Sequence, residues 1–213
     1  MSPAVDRYEL GPIGTNCYVV RANADASEAV VVDPGAEADR LRAELARKGL
    51  TCVAILVTHT HYDHIGGVAD LAEATGAPVY VADGEAVVLE RPQDFYGPLG
   101  VDIRGYRPDV RLQGDETLDV AGLRFQTMLV PGHSPAHLSF RAGSALFSGD
   151  VLFAGSVGRV DLPGGDWDVL LGSIRSLAHA YPPDTEVFPG HGPSTTLGAE
   201  VAGNPFLTEL RAS

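Results

Sequence analysis

A six-residue segment of the chain gathers four side chains of the types that bind metal ions. Residues 59–64 follow the apolar run 53–57 and contain His59, His61, Asp63 and His64. Imidazole nitrogen and carboxylate oxygen suit zinc and iron. In an extended loop residues i and i+2 point the same way, so His59 and His61 can bind one ion. Asp63 and His64 come after the turn and can face another ion.

Three further candidate ligands stand in a similar local context. His133, Asp150 and His191 each follow an apolar run and a short turn that contains glycine. A sheet whose strands end at one edge would bring them to the first segment, and open α/β folds bind ligands beyond the strand ends. An open zinc site takes three protein ligands. The seven residues therefore suit two ions, and Asp150 is our choice for the carboxylate that bridges them.

The elements that must position these residues alternate between strands and helices. Apolar, β-branched runs predict strands at 16–21, 29–32, 53–57, 79–82, 123–129, 137–141, 145–148 and 186–188. Helical patterns cover 37–48, 66–74, 84–90 and 167–180, with a further turn from Ala199. Residues 92–108 are rich in proline, glycine and aromatic residues and are expected to form a surface loop. This alternation predicts a layered α/β fold, and the length of 213 residues suits one domain over 1–213.

Composition narrows the classes of function. The net charge of −13 argues against nucleic acid and anionic membranes as partners. No apolar run approaches the roughly 20 residues that span a bilayer. The N-terminus lacks a secretory signal pattern, and the two cysteines, Cys17 and Cys52, do not form a disulfide framework. We therefore expect a cytoplasmic protein; its oligomeric state stays open.

These motifs resemble the metallo-β-lactamase superfamily, whose signature His-x-His-x-Asp-His is matched by residues 59–64. The other matching segments are Thr15-Asn16-Cys17-Tyr18, Val32-Asp33-Pro34-Gly35, Pro131-Gly132-His133-Ser134-Pro135, Phe147-Ser148-Gly149-Asp150 and Pro189-Gly190-His191-Gly192. The resemblance implies a four-layer αβ/βα sandwich with metals at one edge of the two sheets. It also implies two sites that share Asp150, the first with His59, His61 and His133, the second with Asp63, His64 and His191.

Within the superfamily the chain looks most like the short glyoxalase II-like hydrolases, which resemble hydroxyacylglutathione hydrolase. Residues 155–166, 193–198 and 204–207 carry this likeness. It implies hydrolysis of a small-molecule thioester, with Arg159 touching the thiol part of the substrate. The longer enzymes continue into a helical domain that helps hold glutathione and have tyrosine where this chain has Pro193, whereas this chain ends at Ser213. The acyl group and the thiol therefore stay open.

The expected catalyst is a hydroxide generated on two divalent ions, with zinc preferred and iron or manganese as alternatives. Water bound to such an ion has its pKa lowered to about 7. Asp63 and Asp150 would orient this hydroxide for attack on the thioester carbonyl. A thiolate leaves with little help from an acid, although Tyr96 or Tyr106 could supply one.

Two other enzymatic activities use the same residues. A persulfide dioxygenase would need one iron, held by His59, His133 and Asp150. A lactonase would use the same hydroxide on a cyclic ester. Metal content and oxygen uptake distinguish the first of these from a hydrolase.

Overall fold

The computed structural model describes residues 2–211, with the backbone alone for residues 209–211. Its strands are β1 Ala4–Leu10, β2 Thr15–Arg21, β3 Glu28–Val32, β4 Thr51–Leu56, β5 Val79–Ala82, β6 Val110–Leu112, β7 Thr117–Val120, β8 Leu123–Leu129, β9 Leu138–Ala142, β10 Ala145–Gly149, β11 Leu152–Phe153, β12 Ser156–Val157, β13 Glu186–Pro189 and β14 Thr195–Thr196. The α-helices are α1 Ala38–Arg47, α2 Tyr62–Ile65, α3 Val68–Thr75, α4 Ala86–Glu90, α5 Pro92–Tyr96, α6 Trp167–Ala180 and α7 Leu197–Gly203. Short 3₁₀ segments cover Asp83–Glu85, Gly97–Leu99 and Pro205–Arg211.

The strands form two six-stranded sheets and one small hairpin. The first sheet has the order β1-β2-β3-β4-β5-β6, and the second has the order β14-β13-β10-β9-β8-β7. Strands β3 to β6 run parallel, while β2 is antiparallel to β3 with Tyr18 opposite Val32. The start of β2 therefore lies beside the end of β3. Strands β11 and β12 pair only with each other.

Alternating side chains on the strands build three apolar layers. In β2, Val19 packs with α1 and α3 on one side of the first sheet, while Val20 faces the second sheet. A strand places successive side chains on opposite faces, so a strand that is apolar at every position must be covered twice. Leu170 and Ile174 of α6 cover the outer face of the second sheet. The layers therefore read helix, sheet, sheet, helix, which confirms the predicted four-layer αβ/βα class.

Helix α6 forms because its sequence provides an N-terminal cap and one apolar face. Asp166 caps its N-terminus by accepting a hydrogen bond from the Val169 N–H at 3.0 Å. Its buried residues include Leu170, Ile174 and Leu177, whose spacing places them on one helical face. Among residues 2–211, no helix combines the length and the apolar character that crossing a membrane requires.

The structure differs from the sequence expectations in several places, since strands β1, β6, β7, β11, β12 and β14 and helices α2 and α5 lie outside the predicted elements. Strand β1 contains no apolar run, because charged residues interrupt it. Arg7 and Glu9 are exposed, and the partly buried Asp6 pairs with Arg21 at 3.0 Å and with Lys48 at 2.8 Å. Residues 92–108 are not irregular throughout, since Pro92 begins the short helix α5, where its fixed φ suits the first helical turn. The assignment of residues 1–213 to one domain stays a prediction.

Candidate metal centre

Strand ends from both sheets meet at one edge and bring the seven predicted ligands together. His59 and His61 follow β4 of the first sheet, and the short helix α2 after them carries Asp63 and His64. From the second sheet, the ends of β8, β10 and β13 lead to His133, Asp150 and His191. The centre thus draws its ligands from two sheets, and packing between the sheets sets its dimensions.

One group of ligand atoms, which we call site A, consists of His59, His61 and His133. His59 Nε2 lies 3.1 Å from His61 Nδ1 and 3.2 Å from His133 Nε2, and the last two nitrogens are 2.8 Å apart. The three rings stand nearly perpendicular to one another, with interplanar angles of 80–85°. Three nitrogens therefore converge on one point.

A second group, site B, consists of Asp63, His64 and His191. Asp63 Oδ2 lies 3.2 Å from His191 Nε2 and 3.4 Å from His64 Nε2. The His64 ring is fully buried, whereas the His191 side chain is 29% exposed. Site B therefore opens towards solvent on the His191 side.

Asp150 stands between the two sites. Its Oδ1 is 3.4 Å from His64 Nε2, and its Oδ2 is 3.6 Å from both His133 Nε2 and His191 Nε2. One carboxylate thus faces ligand atoms of site A and site B. This is the position that the sequence analysis assigned to the bridging ligand.

The geometry fits divalent metal ions. Nitrogens bound to one zinc at about 2.0–2.1 Å and tetrahedral angles would lie about 3.3 Å apart, close to the spacing in site A. His64 Nε2 and Asp150 Oδ1 are buried and have no hydrogen-bond partner. Buried polar atoms without partners are costly, and a shared cation would satisfy both. The side chains offer three overlapping groups of three ligands, His59–His61–His133, His59–His64–Asp150 and Asp63–His64–His191.

Hydrogen bonds behind the ligands orient the rings of His59 and His64. Asp33 Oδ2 accepts from His64 Nδ1 at 2.9 Å and from the Thr58 hydroxyl at 2.7 Å. Because the Thr58 hydroxyl proton points to Asp33, His59 Nδ1 must donate to the Thr58 oxygen, 3.1 Å away. Both rings therefore turn Nε2 into the centre, which is the atom that these histidines would use to bind a metal ion.

Further contacts place the other ligands. His133 Nδ1 donates to the Arg159 carbonyl at 2.8 Å, which leaves His133 Nε2 free to bind. The Thr15 hydroxyl donates to Asp63 Oδ2 at 2.7 Å. The Asp150 N–H donates to Nε2 of the buried His137 at 3.1 Å, so His137 supports the backbone at Asp150.

Burial keeps the rings of site A neutral. It lowers the pKa of His59 well below the usual value and that of His61 to about 4, and it also lowers the pKa of His133. Neighbouring imidazoles add to the effect on His59 and His61. At neutral pH the site A nitrogens are therefore unprotonated and can bind a cation.

In site B the nearby carboxylates raise the pKa of the histidines, in contrast to site A. Burial favours a lower pKa for His64, but Asp150 and Asp33 raise it overall, and the hydrogen bond with Asp63 raises the pKa of His191. In turn, burial opposes ionisation of Asp63 and Asp150, yet the adjacent histidines lower the pKa of both carboxyls, that of Asp150 to about 2. Site B therefore has anionic ligands and a stronger competition between protons and metal than site A.

The remaining predicted residues lie at different distances from this centre. The Arg159 side chain is 62% exposed and pairs with Asp161 at 2.6 Å, so only its carbonyl supports the site. Tyr96 donates its hydroxyl proton to the Thr60 carbonyl at 2.7 Å, beside the ligands. The Tyr106 hydroxyl donates a hydrogen bond to Asp109 at 3.4 Å and has no contact with the ligands among those found in the described residues.

The sequence motifs assign no role to two acidic residues that lie near the ligands. Asp33 follows β3 just as the ligands follow their own strands, and that placement could have identified it. Glu85 lies in a 3₁₀ turn after β5, and its side chain bonds to Thr60 and Ser134, which adjoin ligands. Nothing in the sequence around Glu85 signals this position.

Comparisons with known proteins agree with this architecture. The profile of the metallo-beta-lactamase superfamily matches residues 10–191. The probable metallo-hydrolase YqgX of Bacillus subtilis is 37% identical over 205 residues, covering 94% of this chain and 96% of that protein. Hydroxyacylglutathione hydrolase GloC of Haemophilus influenzae is 35% identical over 191 residues, covering 86% and 89%.

Solved structures give the same answer. The B3 metallo-beta-lactamase BLEG-1 is 42% identical, with a TM-score of 0.90 over 96% of this chain and 100% of that chain. TTHA1623 in a di-iron-bound form is 42% identical, with a TM-score of 0.85 over 95% and 100%. ETHE1 from Myxococcus xanthus is 26% identical, with a TM-score of 0.80 over 95% and 83%. The chain therefore belongs to the metallo-β-lactamase superfamily and, with it, to the metal-dependent hydrolases.

Proposed function

We propose that this protein is a thioester hydrolase of the glyoxalase II type that uses two divalent ions, preferably zinc, on a small acyl-thiol substrate. The observation that carries the proposal is the position of Asp150, whose carboxylate faces both site A and site B. A reaction on one iron held by His59, His133 and Asp150 would leave site B without a role. The likeness to GloC, a hydroxyacylglutathione hydrolase, supports the same substrate class.

Each part of the centre has a distinct task in this reaction. Residues of site A and site B would hold the two ions, with Asp150 between them. When bound, divalent ions would supply hydroxide at neutral pH and would polarise a thioester carbonyl. Asp63 and Asp150 lie beside the converging nitrogens, where their oxygens can accept a hydrogen bond from the nucleophile and orient it. Thr15 in turn fixes the orientation of Asp63.

The surroundings favour a leaving group that needs no proton. Tyr96 is the candidate acid beside the ligand loop, and its hydroxyl proton is donated to the Thr60 carbonyl. Burial also raises the pKa of Tyr96, which makes proton release harder. A thiolate is stable near its own pKa of about 8.5, whereas an amine or alkoxide must be protonated as it leaves.

The test is to purify the protein, measure zinc, iron and manganese per chain, and assay S-lactoylglutathione hydrolysis on the same sample. We expect two ions per chain and a hydrolysis that chelation abolishes and metal restores. The alternatives are tested on the same sample by measuring oxygen uptake with glutathione persulfide and hydrolysis of a β-lactam and of a lactone. One iron per chain together with oxygen uptake would show that the protein is a dioxygenase instead.

A further inference from the structure

A buried glutamate that takes no part in the proposed chemistry lies directly behind site A. Glu85 is 4% exposed and ends the 3₁₀ segment Asp83–Glu85 that follows β5. A carboxylate is rarely buried unless its oxygens are fully hydrogen-bonded, because it loses its hydration. Its partners therefore indicate what it does.

The two oxygens of Glu85 bind two different loops. Oε2 accepts from the Thr60 N–H at 3.2 Å and from the Thr60 hydroxyl in a short hydrogen bond. Oε1 accepts from the Ser134 hydroxyl at 2.7 Å and from the Ala136 N–H at 3.2 Å. Thr60 lies between His59 and His61, and Ser134 directly follows His133. A single side chain thus joins the two loops that carry the whole of site A.

These loops come from opposite sheets. His59 and His61 follow β4 of the first sheet, whereas His133 follows β8 of the second sheet. The turn that carries Glu85 sits close against the second loop, since a Cβ added at Gly84 would lie 2.7 Å from the Ala136 Cβ. The hydrogen bonds of Glu85 therefore act on the distance between His133 and the His59–His61 pair.

Site B is held by other residues. Asp33 accepts a hydrogen bond from His64, and Thr15 donates one to Asp63. Neither contact involves Glu85. A change at Glu85 should consequently affect the two sites unequally.

We propose that Glu85 is a positioning residue that sets the spacing of the three site A nitrogens and thereby the affinity and coordination geometry of that site for a divalent ion. The inference rests on the metal centre of the proposed function but not on its substrate. Metal affinity is read without substrate, so a failure of the thioesterase proposal and a failure of this one are distinguishable.

The variant Glu85→Gln keeps the size of the side chain but removes its negative charge and changes its hydrogen bonding, whereas the variants Glu85→Asp and Ser134→Ala described below keep the charge. The amide NH₂ would face the backbone N–H of either Thr60 or Ala136, and two donors cannot bond to each other. Groups that hold metal ligands in place typically contribute a factor of about 10–100 to metal affinity. We expect Co²⁺ at site A to bind about 10–100-fold more weakly, with altered visible absorption, while Co²⁺ at site B binds as in the parent. Adding His61→Ala to both proteins removes site A, and the difference between them should then disappear.

Glu200→Gln is the matched control. Glu200 is 5% exposed, and its carboxylate accepts from the Gly155 N–H at 2.8 Å and the Thr195 hydroxyl at 2.6 Å, neither of which adjoins a ligand. This variant should lose thermal stability without losing Co²⁺ affinity or changing the spectrum. A purely structural role for Glu85 would give the same result in both variants.

Two further variants keep the test decisive if Glu85→Gln does not fold. Ser134→Ala removes one hydrogen bond from the loop of His133 and should weaken Co²⁺ binding at site A by a smaller factor than Glu85→Gln does. Glu85→Asp keeps the carboxylate, and its Co²⁺ affinity at site A should lie between that of Glu85→Gln and that of the parent. Parent-like Co²⁺ affinity and spectra in the folded variants, or equal weakening of both sites, would overturn the proposal.

Discussion

The substitution Gly190→Ala should damage the metal centre without removing any ligand. Gly190 lies between β13 and His191, its N–H donates to the Gly149 carbonyl at 2.8 Å, and its carbonyl accepts from the Asn16 N–H at 2.7 Å. Its φ lies outside the left-handed region, so the backbone itself would accept an alanine. The obstacle is space, because a Cβ there would lie 2.1 Å from Asp150 Oδ1 and 2.7 Å from His64 Cε1.

The size of the effect follows from these distances. A Cβ rarely approaches another heavy atom within 3.0 Å, so the Asp150 carboxylate or the 190 backbone must move by about 1 Å. A misplacement of about 1 Å in a catalytic group costs on the order of 100-fold in rate, which corresponds to about 2.7 kcal/mol of transition-state stabilisation. Because Asp150 faces both sites, we also expect metal content to fall below two ions per chain.

The assay measures metal per chain and kcat/KM for S-lactoylglutathione in Gly190→Ala and in Gly172→Ala. Gly172 is in α6, and a Cβ there meets nothing within 4 Å. Alanine in a helix is favoured over glycine by about 0.5–1 kcal/mol, so the control should be active and slightly more stable. Full metal content and parental kcat/KM in Gly190→Ala would refute the view that the carboxylate of Asp150 is held in place by close contact with Gly190.

Three other predictions concern the same centre. Asp150→Ala should lose metal from both sites and all hydrolysis, measured by metal analysis; full hydrolysis by the metal-free variant would contradict the mechanism. Acidification from about pH 7 to pH 5 should remove the site B ion first. The raised pKa of His191 lets protons compete with the metal there at higher pH, whereas burial lowers the pKa of His61 in site A to about 4. Loss of both ions at the same pH during dialysis, or loss of the site A ion first, would contradict this prediction. Arg159→Ala should raise KM for S-lactoylglutathione by about two- to fivefold at constant kcat, and Asp161→Asn, which frees the guanidinium, should lower KM; unchanged KM values in both variants would remove Arg159 from substrate binding.

The grouping of the candidate ligands at one edge was predictable from sequence because metal-binding chemistry restricts residue types. Histidine and aspartate after apolar runs stand out, and the runs at 79–82, 123–129 and 167–180 are strands and a helix with those bounds. Strand β1 was missed because an edge strand exposes one side and can carry charges such as Arg7 and Glu9. The apolar signal is strongest where both faces are buried, because the buried residues then form a continuous run, as in β2.

The supporting residues were harder to identify, since their function depends on geometry between distant segments. Glu85 accepts hydrogen bonds from residues 25 and 49 positions away in the sequence, and these contacts form only in the folded chain. His133 is oriented by the carbonyl of Arg159, and every residue type has a carbonyl. A substitution at position 159 that keeps the backbone in place would therefore leave this support intact, while changing whatever the exposed guanidinium binds. The role of Arg159 in the metal centre is thus independent of its side chain, and Arg159→Ala should change KM for S-lactoylglutathione while metal content stays at its parental value.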